Sequence, residues 1–186
     1  MCMFRDLRAD EIEVRVAQAT EYGVTLLLYK DARVDMAILD ETVGQDNWQN
    51  KFYENKGILF CSLGINTSYN KPGKEDRWIW KDDAGVESNT EAEKGNASDA
   101  RKRAGFAWGI GRELYTSPVI KVRSCDCNLK QYNGKWKCYD SFEVQKIIIE
   151  KKRVVALAIR NATTGKTCFI HQDPKWEAEQ KVNKDA

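Results

Sequence analysis

The sequence predicts an α+β fold in which an antiparallel β-meander packs on a long helix and an additional C-terminal antiparallel sheet follows. Three observations predict it: β-rich runs separated by turn residues, then a helical run with small residues at three- and four-residue steps, then strand-like runs after Pro118. The chain has 186 residues, 42% of them apolar, which is enough for one domain with a core. We expect that domain over residues 1–171, and a polar, mobile tail over 172–186.

The beginning of the chain predicts a helix, a strand and a second helix. Residues 7–22 carry apolar side chains at helical spacing and stop before Gly23, which is typical of an amphipathic helix. Residues 24–29 form a short apolar run, as in a buried strand. Residues 32–43 return to helical spacing and end before Gly44.

A three-stranded antiparallel meander is predicted next. Its strands are the β-rich runs 47–54, 58–65 and 77–82, and the segments 55–57 and 69–74 between them have turn compositions.

From Thr90 to about Leu114 the pattern is helical again. Small residues recur along one stripe, which allows a helix to lie close to a sheet. They are Ala97, Ala100, Ala104, Ala107 and Gly111. Beyond this helix, strands are predicted at 119–122, 136–139, 144–149, 154–159 and 167–170.

Charge is distributed unevenly along the chain. Residues 1–50 carry five basic and ten acidic side chains, whereas residues 94–123 carry seven basic and two acidic ones. A local excess of positive charge attracts polyanions and makes their binding depend on salt. A solvated helix face with nothing bound is the alternative interpretation.

The cations of the long helix suggest a nucleic-acid surface. Lys94, Arg101 and Arg112 follow one line of the helix, with Lys102 and Arg103 beside it. Cations at a fixed pitch suit a sugar-phosphate backbone, and aromatic rings suit unpaired bases. Phe106 and Trp108 follow the cluster, although burial against the sheet explains these two side chains as well.

Two motifs give the chain a family resemblance. One is Asp99-Ala-Arg-Lys102-Arg103-Ala104 with Trp108-Gly109 following. The other is the stretch from Trp78-x-Trp80-Lys-Asp-Asp-Ala-Gly to Glu93-Lys-Gly, with Trp-Gly-Ile-Gly-Arg-Glu-Leu-Tyr115 after it. Together with the order of elements, they resemble the Rad fifty-two family of single-strand annealing proteins, in its phage branch. The resemblance covers residues 7–120 well and the remainder loosely.

The resemblance implies a ring or filament of protomers with a continuous groove, in which single-stranded DNA lies with its backbone toward the protein. Lys102 and Arg103 would be the inner phosphate contacts. Phe106 stands where the family has a further arginine, so Arg101 and Arg112 would compensate. The other DNA-binding candidates are Lys71, Lys74, Arg77 and Lys81 on the meander hairpin, Lys94, and Tyr29.

The expected function is therefore annealing of complementary strands in recombination and repair. Such a protein binds one strand through its phosphates and leaves the bases free for pairing, so it requires neither nucleotide nor metal. A single-strand binding protein or an exonuclease, of host or phage, is a candidate partner. The charged start resembles no signal peptide and no stretch approaches a membrane span, which favours the cytoplasm of a bacterial or phage-infected cell.

Other readings remain open from the sequence. A coating or recombinase-loading protein would share the basic helix without joining strands. Asp82, Asp83 and Glu87 could hold Mg²⁺ in a nuclease. Zinc on Cys125, Cys127 and Cys138, or on Cys168 and His171, fits the usual ligand spacing poorly, so we expect free thiols.

Overall fold

The computed structural model describes residues 4–85 and 92–184, with side chains at 4–85 and 96–179. The fold is α+β, as predicted. Where the sequence predicts one domain, the chain divides into two compact units. We call them the meander unit, which comprises Asp31–Gly111 with the residues before Leu7, and the six-stranded unit, which comprises Leu7–Lys30 and the chain from Arg112 onward.

The elements follow one another in this order: β1 (Glu13–Thr20), β2 (Gly23–Tyr29), α1 (Ala32–Val43), β3 (Trp48–Asn55), β4 (Ile58–Asn66), β5 (Trp78–Ala84), α2 (Ala92–Trp108), β6 (Ile120–Arg123), β7 (Leu129–Tyr132), β8 (Lys135–Cys138), β9 (Phe142–Glu150), β10 (Arg153–Asn161), β11 (Lys166–Gln172) and α3 (Pro174–Lys184). No helix in the described ranges is long and apolar enough to cross a membrane.

The predicted helix over 7–22 is wrong, because this segment forms a short 3-10 helix at Ala9–Glu11 and then strand β1. β1 pairs with β2 in a hairpin and with β9, which is distant in the chain, and this pairing outweighs the weak helical periodicity. Gly23 does not stop a helix. It has φ +147 and pairs with Arg123 of β6, so closely that a Cβ there would overlap the Val122 carbonyl oxygen.

The predicted meander is confirmed, with strand order β3-β4-β5 and antiparallel pairing throughout. One face of the meander packs on α2. Side chains alternate between the two faces of a strand, so Cys61, Leu63 and Ile65 all point to the face that α2 covers. They are at most 1% exposed, and Ala100 and Ala104 of α2 are fully buried. The small-residue stripe of the helix therefore lies close to the sheet, as expected.

The long helix is shorter than predicted at its C-terminal end. α2 stops at Trp108, where Gly109 (φ +100) and Gly111 (φ +73) take left-handed conformations that end a helix. A short 3-10 helix at Arg112–Thr116 follows. The predicted start at Thr90 lies outside the described residues.

The opposite face of the meander carries aromatic side chains. Tyr53 stacks on Phe60 with ring centroids 5.3 Å apart, and Trp78 lies 6.2 Å from Trp80. The Trp80 ring lies over Gly64, so close that a Cβ at position 64 would be only 2.7 Å from the ring. Glycine is therefore required at position 64 by a side chain, and not by backbone conformation.

The six-stranded unit contains an antiparallel sheet of order β11-β10-β9-β1-β2-β6. The predicted C-terminal strands form this sheet, but the N-terminal hairpin β1–β2 joins it. Leu26, Ile120, Val122, Leu157 and Ile159, each at most 2% exposed, form part of its core. β7 and β8 form a separate hairpin, of which the sequence analysis predicted the second strand alone.

The polar tail contains a helix. α3 begins with Pro174 in its first turn, and Asp173 caps it by accepting a hydrogen bond of 2.9 Å from the Lys175 amide. The same bond lowers the pKa of the Asp173 carboxyl. Polar composition alone predicts a mobile tail, whereas a proline followed by helix-forming residues predicts a helix start.

Gly64→Ala should destabilise the meander unit by about 1–3 kcal/mol, because the added methyl group cannot fit under the Trp80 ring without moving it. Gly57→Ala is the control. Gly57 has φ +76 and open space around it, so alanine there costs about 1–2 kcal/mol of backbone strain without any clash. The free energy of unfolding in denaturant measures both, and a smaller loss at Gly64 than at Gly57 would contradict the packing argument.

Candidate nucleic-acid interface

The loop between β4 and β5 is held by two buried polar side chains. Asn66 and Ser68 are 4% and 8% exposed. Asn66 Nδ2 donates a 2.8 Å hydrogen bond to Asp76 Oδ1, and Asn66 Oδ1 accepts from the Ser68 amide at 3.0 Å. Ser68 Oγ accepts from the Arg77 amide at 2.7 Å and lies 2.9 Å from the Glu75 carbonyl oxygen. Both ends of the loop are thereby fixed to each other.

This loop forms one wall of a cleft in the meander unit, with a volume of about 450 Å³. We call it the basic cleft. Its lining residues are Thr67, Tyr69, Asn70, Lys71, Arg77, Ile79, Lys81 and Trp108. Three of the four cations predicted on the meander hairpin, Lys71, Arg77 and Lys81, therefore converge at one place. Lys74 is exposed on the same loop, and its amide donates to the Lys71 carbonyl oxygen at 3.2 Å.

Lys81 is the most firmly positioned cation of the basic cleft. Its Nζ donates a 2.9 Å hydrogen bond to the Ala107 carbonyl oxygen and lies 4.4 Å from the centre of the Trp108 ring. A cation at this point also complements the partial negative charge at the C-terminal end of α2. Lys71 and Arg77 are exposed to solvent, so their charges face the open side of the cleft.

Trp108 is anchored to the sheet. Its indole N–H donates a 2.9 Å hydrogen bond to the Leu63 carbonyl oxygen, and its side chain is half-buried. The sequence allows two interpretations of Trp108, base stacking or burial against the sheet. The structure shows burial against the sheet. The ring nevertheless lines the basic cleft, where it supplies an apolar wall. Phe106 is also half-buried.

Arg103 lies over β5, on the same face of the strand as Lys81. Its Nε is 3.3 Å from Asp83 Oδ1, and the two side chains are 40% and 33% exposed. Such a partly exposed pair contributes little to stability, typically about 0–1 kcal/mol. Lys102, the next residue on α2, is half-buried. Arg103 and Trp108 of α2 therefore lie beside Asp83 and Lys81 of β5, and the Lys81 end of this row belongs to the cleft.

The structure places the other predicted residues elsewhere. Arg101 packs between α1 and β3, where it lies 3.4 Å from Met36 Sδ and 5.6 Å from the Phe52 ring centre. Its Nε is buried without a hydrogen bond, so Arg101 does not join the exposed cations. Lys94 lies in the first turn of α2, and its side chain is outside the described residues.

Arg112 and Tyr29 belong to the six-stranded unit. Arg112 is exposed in the 3-10 helix after α2. Tyr29 is 36% exposed at the end of β2, and the Arg15 guanidinium lies 5.1 Å from its ring centre. Neither residue is among those that line the basic cleft.

Two of the three carboxylates of the nuclease interpretation, Asp82 and Asp83, lie on opposite faces of the meander. Asp82 and Asp83 are neighbours on strand β5 and so point to opposite faces of the sheet. Asp82 accepts a 3.1 Å hydrogen bond from the Tyr53 hydroxyl, whereas Asp83 pairs with Arg103. Glu87 lies outside the described residues. The structure thus shows no shared coordination position for Asp82 and Asp83.

The cysteines do not form a preformed metal site in the described part of the chain. Burial, with a contribution from the nearby Cys138 thiol, raises the pKa of Cys127 to about 11. Cys125 is exposed. Among the described residues, no group of three or more His, Cys, Asp or Glu side chains is arranged to hold a metal ion.

Sequence reasoning found the cations of the basic cleft but missed the residues that position them. Asn66 and Ser68 stand next to a segment recognised by its turn composition, and short polar side chains at a strand end are a signal for local hydrogen bonds to the backbone. Comparisons of the chain with known protein families, curated proteins and solved structures found no match. The family resemblance stays a prediction.

Ser68→Ala should loosen the β4–β5 loop, because the Arg77 amide loses its buried acceptor, at a cost of about 1–3 kcal/mol. Hydrogen exchange at the Arg77 amide should become faster. Ser62→Ala, at a half-buried position of β4, is the control. Equal exchange at Arg77 in both variants would mean that the Ser68 hydroxyl does not hold the loop.

Asp83→Asn should release the Arg103 guanidinium, so we expect tighter binding of single-stranded oligonucleotide. Asp82→Asn makes the same change in charge on the opposite face of β5 and serves as the control. Fluorescence anisotropy of a labelled oligonucleotide measures both. If the two variants gain affinity equally, the gain comes from net charge and Arg103 has no special part in binding.

Proposed function

We propose that this protein binds single-stranded DNA through the basic cleft and anneals complementary strands without ATP, as a homo-oligomeric ring or filament. The observation that carries the proposal is the convergence of Lys71, Arg77 and Lys81 beside Trp108 in one cleft. Phosphate groups are the natural ligands of such a set of cations. The proposed setting is recombination and repair in the cytoplasm of a bacterial or phage-infected cell.

The chemistry of the cleft favours a flexible, single strand. Lys71 and Arg77 are exposed side chains that can follow an irregular backbone, while Lys81 is fixed by α2. The volume of about 450 Å³ lies in the range of ordinary ligand pockets and suits a short segment of one strand. Contacts to phosphates carry no sequence information, so the bases remain free to test a complement.

Annealing follows from electrostatics without covalent chemistry. Neutralising phosphates lowers the repulsion between two strands, and base pairing then supplies the specificity. Each cleft has three cations, so the clefts of several copies side by side would contact more phosphates of one strand and bind it more tightly than a single copy. Such a gain favours the oligomer that the family resemblance implies.

Lys102 and Arg103 extend the proposed binding surface along α2. Arg103 lies on the same face of β5 as Lys81, and the Asp83 carboxylate holds it in place until a phosphate competes for it. The Asp83 pair is partly exposed and therefore weak, which allows such an exchange.

The proposal is tested by fluorescence annealing of two complementary oligonucleotides with purified protein, without ATP or Mg²⁺, across a salt series. We expect acceleration that fades as salt rises. Binding without acceleration would instead favour the coating or loading protein. Cleavage of the strands when Mg²⁺ is added would favour the nuclease, and absence of binding would mean that the cations are only solvated.

Two double variants locate the site. Lys71→Ala with Arg77→Ala, and Lys102→Ala with Arg103→Ala, should each lower single-strand affinity by about tenfold or more and flatten its salt dependence, since each removes two phosphate contacts. Lys146→Ala with Lys166→Ala removes the same charge from the six-stranded unit and is the control. Affinities equal to the control would overturn the assignment, provided that circular dichroism shows an intact fold.

A further inference from the structure

The two faces of the hairpin β7–β8, in the six-stranded unit, carry different kinds of side chain. Asn133 (φ +49) and Gly134 (φ +74) form the two-residue turn typical of tight hairpins. Lys130 lies opposite Lys137, and Tyr132 lies opposite Lys135. Since opposite residues share a face, these four side chains point the same way. The Tyr139 amide continues the ladder by donating to the Asn128 carbonyl oxygen at 3.1 Å, so Tyr139 joins that face.

The two faces of the hairpin differ in exposure. All five residues of the first face are exposed, and Tyr132 and Tyr139 are 58% and 56% exposed. On the other face Leu129, Trp136 and Cys138 are half-buried. The hairpin thus turns its apolar side inward and presents three lysines and two tyrosines to solvent. We call this exposed surface the lysine-tyrosine face.

The charges of the lysine-tyrosine face are costly in the free protein. No acidic side chain occurs between Cys127 and Tyr139, and Lys130 and Lys137 are placed directly opposite each other. Like charges at opposite positions destabilise a strand pair. Ring contacts offset part of this cost: Lys137 lies 5.1 Å from the Tyr132 ring centre and Lys130 lies 5.7 Å from that of Tyr139. A polyanion would remove the repulsion.

We propose that the lysine-tyrosine face is a second binding surface for single-stranded nucleic acid, with phosphates on the three lysines and unpaired bases on the two tyrosines. Cations interleaved with exposed rings are the combination that such strands use. A duplex keeps its base faces stacked inside and would leave the tyrosines without a role. The surface goes beyond the proposed basic cleft, because it belongs to a different unit and adds base stacking to phosphate binding.

The surroundings of the hairpin extend this surface. A cavity of about 510 Å³ adjoins its tip, lined by Lys135, Trp136, Glu21 and the 79% exposed Tyr22. Tyr22 also lines a second cavity of about 410 Å³, together with Lys121 and Arg123. One exposed tyrosine, Tyr22, thus lies next to Lys135 at the hairpin tip and next to Lys121 and Arg123 in the second cavity, which offers a continued path for a strand.

The first test uses two double variants of the 186-residue chain. One carries both Lys130→Ala and Lys137→Ala, and the charge-matched control carries both Lys146→Ala and Lys166→Ala. Loss of two phosphate contacts should weaken oligo-dT binding about tenfold at 0.15 M salt and reduce the slope of log affinity against log salt by about 1.4. The control should change much less. Equal effects in the two double variants would overturn the proposal.

The second test isolates base stacking. The double variant Lys71→Ala with Arg77→Ala, which weakens the basic cleft and leaves the hairpin intact, should bind oligo-dT more tightly than an abasic strand of the same length. Tyr132→Ala with Tyr139→Ala should remove this preference, and the two Phe replacements should keep it. If the preference survives both alanine changes, no bases stack on the tyrosines. Oligo-dT binding by the wild-type protein without any annealing would refute the proposed function alone.

The third test separates stability from binding. Lys137→Glu places opposite charges across the hairpin at Lys130, so the melting temperature should rise while oligo-dT affinity falls. If the oligo-dT affinity rises together with the melting temperature, or stays unchanged, Lys130 and Lys137 do not bind nucleic acid.

Discussion

The close approach of α2 to the meander is the constraint on which the basic cleft depends. Ala100 and Ala104 are fully buried against the sheet, and no larger side chain fits at such positions without moving the helix. Because the helix lies so close, the Trp108 indole reaches the Leu63 carbonyl oxygen and Lys81 reaches the Ala107 carbonyl oxygen. The side chains that line the cleft are therefore positioned by apolar packing some residues away.

The cations of the meander unit divide into those that the fold uses and those that it leaves available. Arg101 is held between α1 and β3, and Lys81 is held by the end of α2. Lys71 and Arg77 are exposed on a loop that Asn66 and Ser68 keep in place. A rigid loop carrying exposed cations loses little entropy when an anion binds, which is how preorganised sites gain affinity.

Strand alternation is the common device of both proposed surfaces. β5 sends Lys81 and Asp83 to one face and Trp78 and Trp80 to the other, while the β7–β8 hairpin sends lysine and tyrosine out and apolar residues in. In the hairpin, the period of two separates the apolar side chains that stabilise the fold from those offered to a ligand, and in β5 it brings Lys81 and Asp83 together on the face that α2 covers. A shift of register by one residue would exchange the two sets.

The sequence by itself determined the elements whose signals are local. The meander, α1 and most of α2 follow from runs of periodic residues between turn residues, and the cluster of cations is visible by counting. Tertiary structure decided the rest. Residues 13–20 are a strand because β2 and β9 pair with them, and Arg101 is withdrawn because Met36 and Phe52 pack on it. Lys71, Arg77 and Lys81 meet Trp108 because the β4–β5 loop and strand β5 pack beside the end of α2. Such convergence depends on contacts between residues far apart in the chain, and local periodicity carries no information about them.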